Sequence, residues 1–233
     1  ANVLFAYVAG SDNLVSIDIA AIGAAAVLDT LAVSIASSEV GVFAGNDTVW
    51  LAGSGLRTIN ASDPRNLSVR TTPTGNQFFT AREIALNGSG LGLLLPDGGN
   101  FVQVYNTSDP TNVANFVTQF NLTGATRDVA ISRGIGYIAS GNRLEVINYR
   151  PFDANGVAPT TSVAVSARDV DPATAGVQVL EGASVPVRVS VNDDVQVRRV
   201  ELLINDQVVA TDVSFPFDFV GLAPLTSAAG GEL

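Results

Sequence analysis

RDVAISRGIGYIASGNRLEVINY, residues 127 to 149, reads as three short β-strands separated by tight turns. Apolar residues alternate with small or polar ones in each strand, the period expected when a strand shows two different faces. The pattern returns upstream at a nearly fixed interval. In the second strand, Tyr7, Trp50, Leu93 and Tyr137 are equivalent, 43, 43 and 44 residues apart. In the third strand, Ile17, Ile59, Val104 and Ile147 are equivalent, 42, 45 and 43 apart. The first strand repeats as Glu39-Val-Gly-Val, Glu83-Ile-Ala-Leu and Asp128-Val-Ala-Ile, 44 and 45 apart. Three registers that agree imply a structural unit of about 40–45 residues with four strands, the size of one propeller blade.

Working outward, residues 4–9 and 14–19 form one expected hairpin across Gly10-Ser-Asp-Asn13. Leu28 to Val33 follows as an outer strand, with Ala20 onward as a loop leading into it. Val40 to Ala44 is the next inner strand, turned by Gly45-Asn-Asp47. The second unit runs Val49 to Ala52, Leu56 to Asn60, Leu67 to Thr72 and Arg82 to Asn87. The third runs Leu91 to Leu95, Phe101 to Tyr105, Phe116 to Phe120 and Arg127 to Ser132, and the fourth holds only Gly136 to Ser140 and Leu144 to Tyr149. Gly53-Ser-Gly55, Asp97-Gly-Gly-Asn100 and Gly141-Asn142 supply turn residues where hairpins need positive φ. The whole amounts to about three and a half blades that start mid-blade. A closed propeller typically has about four to eight blades. Either blades before Ala1 are missing or the ring is small and irregular.

RDVAIS, GYIAS and LEVINY, with the turns Ser62-Asp63-Pro64 and Ser108-Asp109-Pro110, resemble the LVIVD repeat of bacterial surface and secreted β-propellers over about residues 3–150. That resemblance implies a fold and says little of function. Residues 151–160 hold two prolines and Asn155-Gly156 and read as a linker. Beyond it, Thr161 to Ala167, Val177 to Leu180, Ser184 to Val191, Val197 to Asn205, Gln207 to Val213 and Phe215 to Val220 alternate as strands. VNDDVQVRRVELLINDQVVATDVSFPFDF, residues 191–219, resembles bacterial Ig-like domains of large surface and secreted proteins, a match over about 160–233. An Ig-like sandwich needs about seven strands and roughly 100 residues. Residues 161–233 offer fewer of both, so the domain is expected to be truncated. Its missing strands lie elsewhere on a longer polypeptide, or a neighbouring molecule donates one. The expected fold is therefore all-β: a partial propeller at 1–150, a linker at 151–160 and an incomplete Ig-like sandwich at 161–233.

Composition narrows the chemistry. The chain has 233 residues, 47% hydrophobic and 15% charged, a balance that suits packed cores rather than disorder. No apolar run approaches the roughly 18 residues of a membrane span. It begins without Met or a basic segment, so no signal peptide is expected, and the chain is either mature or cut from something longer. Twelve basic residues, all arginine, stand against 22 acidic ones, a net charge of −10. Phosphate backbones call for clustered cations, so nucleic acid is excluded as a partner. With no Cys and no His, the chain cannot build a disulfide, a thiolate site, a Ser-His-Asp triad or a His-ligated zinc.

Glu39, Glu83 and Asp128 share one register of the innermost strands and can ring one mouth of the central channel. Converging carboxylates there could hold Ca²⁺ or a cationic group. The other reading is a strand-start residue that bonds backbone or pairs with Arg82 and Arg127. Asp169, Asp171, Asp193 and Asp194 form a second acidic set, at the edge of the Ig-like half, readable as a Ca²⁺ loop or as solvated charge. Six N-x-S/T sequons begin at Asn46, Asn60, Asn66, Asn87, Asn106 and Asn121. They are glycosylation candidates, or they are turn residues, since Asn60 and Asn106 open the repeated SDP turn. Gly88-Ser-Gly90-Leu-Gly92 leads into a strand rather than a helix, so it reads as a hairpin turn and not a phosphate loop. Trp50, Tyr7 and Tyr137 read as blade packing.

The function expected is a non-enzymatic extracellular or cell-surface binding or structural module, with a protein or glycan partner and no catalytic residue or resident cofactor beyond the Ca²⁺ option. Two other classes stand beside it. One is a filament or surface-layer subunit that self-assembles by strand addition. The other is a propeller hydrolase or lyase working with paired carboxylates.

Overall fold

The computed structural model describes residues 3–21, 23–35, 40–71, 80–149, 156–193 and 197–225. Every regular element among them is a strand. Blade 1 contains β1 (Val3–Val8), β2 (Asn13–Asp18) and β3 (Ala26–Ala32). Blade 2 contains β4 (Gly41–Gly45), β5 (Thr48–Gly53), β6 (Gly55–Asn60) and β7 (Ser68–Thr71). Blade 3 contains β8 (Ala81–Leu86), β9 (Leu91–Pro96), β10 (Phe101–Asn106) and β11 (Phe116–Asn121). Blade 4 contains β12 (Thr126–Ser132), β13 (Ile135–Ser140) and β14 (Arg143–Ile147). Within each blade the strands run in chain order as an antiparallel meander. By the repeat register, blade 1 shows no innermost strand and blade 4 no outermost one among the described residues.

Blades stack because their strands are apolar on both faces. In β5, Val49 and Leu51 turn toward blade 1 and pack with Leu14, Val33 and Ile35. Trp50 and Ala52 turn the other way and pack with Ile84, Leu86 and Leu94 of blade 3. In blade 3, Leu93, Leu95, Val102 and Val104 meet Ile138 and Tyr149 of blade 4. The four blades thus share three separate cores, one in each gap. This is why β5 is buried at every position, whereas an edge sheet alternates. Each fully buried Leu or Ile contributes about 1.5–3 kcal/mol.

The outer face of blade 4 shows what happens where, among the described residues, no further blade packs on. Leu144 and Val146 pair with Ala139 and Tyr137, as Leu56 and Thr58 pair with Ala52 and Trp50. Leu56 and Thr58 are 1% and 0% exposed, under blade 3, whereas Leu144 and Val146 are 66% and 59% exposed.

Buried hydroxyls fasten the blades. Ser16 Oγ in β2 donates to the carbonyl of Pro64 at 2.5 Å, and Thr58 Oγ1 in β6 donates to the carbonyl of Pro110 at 2.6 Å. Both acceptors belong to the SDP turn of the next blade. The turn is held by paired Asx bonds: Asn60 Oδ1 accepts from Ser62 N and Asp63 Oδ1 from Arg65 N. In blade 3, Asn106 Oδ1 accepts from Ser108 N and Asp109 Oδ1 from Thr111 N. Thr126 Oγ1 makes a comparable link, from blade 4 to the carbonyl of Pro96 at 3.0 Å. Thr58→Val keeps shape but takes the donor from the partly buried Pro110 carbonyl, so a loss of about 0.5–1.5 kcal/mol is expected in urea unfolding.

The Ig-like half is a three-stranded sheet of β15 (Thr160–Val165), β16 (Ser184–Asn192) and β19 (Phe217–Leu222), facing a hairpin of β17 (Val200–Ile204) and β18 (Gln207–Asp212). Val187, Val189, Val191, Val197, Phe217 and Phe219 form its core. Two sequence expectations are corrected here. Val177 to Leu180 is not a strand: Gln178 N bonds Asp169 Oδ1 and Gln178 O accepts from Val170 N, so the backbone is spent inside its own loop. Phe215 precedes β19 rather than belonging to it. The linker expected at 151–160 lies in part outside the described residues, and 156–159 carry no strand.

Candidate functional site

The inner strands of blades 2, 3 and 4 end in the turns β4–β5, β8–β9 and β12–β13, which lie on one face of the stack. The Ig-like domain sits on that face. Its β18–β19 loop reaches all three turns. Arg133 N donates to the carbonyl of Val213 at 3.0 Å, and Ser214 Oγ donates to the carbonyl of Ile131 at 3.3 Å. Val197 N, preceding β17, donates to Ser89 Oγ at 3.3 Å. Phe215 is the anchor. Its ring stacks on Phe43 of blade 2, with centroids 5.8 Å apart and planes at 12°. It meets Phe217 edge-on at 5.9 Å. The ring occupies the space a Cβ would need at Gly45 and at Gly88, so both turns must be glycine at these positions.

Beside Phe215 the two halves enclose a cleft of about 310 Å³. Its walls are Gly45, Asn46, Thr48, Trp50 and Leu86 from the blades, Thr107 and Ser108 from the SDP segment of blade 3, and Val191 and Asn192 from β16. None of the lining side chains is ionisable. Asn46 holds φ at 53°, and its buried Oδ1 accepts no hydrogen bond from the protein. Thr48 Oγ1 accepts from the Arg70 guanidinium at 2.9 Å, which leaves its own proton to donate. A second recess adjoins at Gly90, Ser108 and Asn192 and reaches Asp193. A third adjoins at Asn46 and runs along Ser162, Ser190 and the Arg188–Asp218 ion pair.

The residues singled out in the sequence fall elsewhere or take other roles. Glu39 and Asp194 lie outside the described residues. Glu83 and Asp128 each follow a bulge, at Arg82 and Arg127, in β8 and β12. Asp128 is exposed, and its Oδ1 accepts from Val129 N. Of the acidic residues singled out in the Ig-like half, Asp169, Asp171 and Asp193 do not form one set. Asp193 follows β16 at the end that faces the blades, while Asp169 and Asp171 occupy the loop that leaves its other end. Nine residues of strand separate those ends by roughly 25 Å. Asp169 Oδ1 accepts from Asp171 N and Gln178 N, and Asp171 accepts from Ala173 N and Thr174 Oγ1. No group of three acidic residues converges among the described residues. These turn roles predict that calcium leaves the melting temperature of the chain unchanged. A rise would mean that Glu39 or Asp194 completes a cluster.

Among the sequons, Asn66, Asn106 and Asn121 are exposed and Asn46 and Asn60 partly so. Asn87 is corrected: it is 3% exposed, its Oδ1 accepts from Ser89 N and Leu91 N, and the amide nitrogen that would carry a glycan is buried. It is a turn residue in the folded chain. Trp50 packs between blades, as expected. Tyr7 is partly buried and donates to Asp12 at 2.8 Å; burial, then Asp12, pushes its phenol up to about 12. The cleft itself was invisible in the sequence. Its one signal is the Pro-Phe pattern at Ser214 to Phe217, which reads locally as strand.

Residues 151–227 match the family of bacterial Ig domains. The chain is similar in structure to a protein from Lactobacillus plantarum, at 15% identity and a TM-score of 0.51, over 94% of this chain and 70% of that one. It overlaps less with Kluyveromyces lactis Hsv2, at 11% identity and a TM-score of 0.37, over 63% of this chain and 58% of that one. Comparison with curated proteins gives no match. The chain is all-β, with a propeller-like arrangement of blades followed by a bacterial Ig domain.

Proposed function

We propose that the chain is a non-enzymatic extracellular or cell-surface module, in which stacked blades and a fixed Ig-like domain together present a binding surface. The carrying observation is the Phe215 loop. It is seated on the inner turns of three blades, so the two halves act as one body rather than as beads on a linker. The bacterial Ig domain supports the surface assignment, because such domains are common in surface and extracellular proteins. The LVIVD-type motifs support the finer reading of the blades as those of a bacterial surface or secreted propeller. No helix among the described residues is long and apolar enough to cross a membrane. The partner is a protein or a glycan. Protease shaving of intact source cells tests the location: release of peptides from this chain supports it, and recovery of the intact chain only from the lysed interior overturns it.

One further observation favours an assembly role. Val185, Val187, Leu202, Ile204 and Leu222 line an apolar slot of about 190 Å³ between the two Ig-like sheets. An added β-strand would fill it, with alternate side chains directed inward. Electron microscopy of native material separates the readings, since strand exchange between copies produces filaments and a binding module does not.

A further inference from the structure

The interdomain cleft is a binding site for a neutral oligosaccharide, we infer, an assignment that rests on the surface-module reading and names its ligand. Charge decides the first part. An ion entering the 310 Å³ cleft would lose water and meet no charged side chain in its walls. The net charge of −10 further disfavours anions. The unit seated in the central cleft is therefore uncharged.

Hydrogen-bonding capacity decides the second. Asn46 offers a buried, unoccupied acceptor, and Thr48 keeps a free proton because Arg70 already donates to its oxygen. Ser108 Oγ donates to Asn106 Oδ1 at 2.6 Å, so its oxygen is left to accept. Donors and acceptors are thus interspersed along the walls. A sugar hydroxyl both donates and accepts, and matches such a mixture. Phe215, with the edges of Trp50 and Leu86 that reach the cleft from the blade core, supplies a narrow apolar strip for C–H groups of a ring.

Shape decides the third. The two adjoining recesses share Asn46 on one side and Ser108 with Asn192 on the other, so the cleft continues in both directions. A single sugar unit would leave those recesses empty, whereas an oligosaccharide would occupy them. The walls are preformed. Asn46, Gly88 and Gly90 hold φ values of 53°, 77° and 109°, and Phe215 is fixed by its stack on Phe43. Junctions between domains are common places for such sites.

Trp50 is the only tryptophan of the chain, so its emission reports the cleft directly. The intact chain is screened against neutral oligosaccharides of glucose, galactose, mannose and N-acetylglucosamine, with oligogalacturonate as the acidic control. The expected result is a saturable change in Trp50 emission with at least one neutral oligosaccharide and none with the acidic one. Asn46→Gly keeps the left-handed backbone but removes the acceptor, and should weaken binding up to about tenfold with melting unchanged. Ser108→Ala should weaken it by less. The inference is overturned if no neutral oligosaccharide changes the emission, if the acidic one binds better, or if Asn46→Gly binds as well as the native chain. None of these outcomes bears on surface location, which protease shaving reads independently.

Discussion

Phe215→Ala is expected to uncouple the Ig-like domain from the blades. The native chain should melt in one calorimetric transition, and the variant in two. The ring belongs to two cores at once, packing against the blade 2–blade 3 cluster and against the Ig-like core. Phe215 is partly buried, so removing it costs up to about 3–5 kcal/mol, the range for a fully buried Phe, through lost transfer energy and the cavity left behind. The hydrogen bonds around it, from Arg133, Ser214 and Val197, contribute only about 0.5–1.5 kcal/mol each and cannot hold the interface without it. Gly88→Ala should produce the same splitting by the opposite route. Its new methyl falls within the Phe215 ring, and φ of 77° adds backbone strain. A single unshifted transition in both variants would show that the domains do not depend on this contact.

The second large effect is expected in the gap between blades 3 and 4. Leu93 is 0% exposed, and Leu93→Ala should cost about 2–5 kcal/mol. Opposite it lies Gly136. A Cβ there would come within 2.7 Å of Leu93 Cδ1 and 2.8 Å of Ile147 Cγ1. Gly136→Ala should therefore cost about 1–3 kcal/mol by overpacking. The double variant should lose less than the sum, because the shortened Leu93 no longer opposes the new methyl while Ile147 still does. Strict additivity in urea unfolding would mean that the two blades do not meet at this point.

The repeat made the blades legible because blade packing is local in register. Trp50, Leu93 and Tyr137 recur, and their neighbours on each strand alternate between two gaps. The SDP turns were legible as turns. Their Pro carbonyls as acceptors for Ser16 and Thr58 were not, since the bonds cross 48 and 52 residues. The cleft failed for the same reason in stronger form. Phe215 meets Gly45 and Gly88, and Val197 meets Ser89 across 108 residues; no local pattern encodes such pairings. Sequence nearness also misled. Asp171 and Asp193 look like one acidic edge, yet β16 holds them at opposite ends. The stretch Val177 to Leu180, with Gln178 among apolar residues, had strand character, but Asp169 captured its backbone first.

The docking of the two halves is tested most directly by amide hydrogen exchange at Arg133. This residue sits in the β12–β13 turn with φ of 48°, and its N–H donates to Val213 of the Ig-like domain. Slow exchange in the native chain, raised to the free-peptide rate by Phe215→Ala, is the predicted result. Free-peptide exchange at Arg133 in the native chain would contradict it.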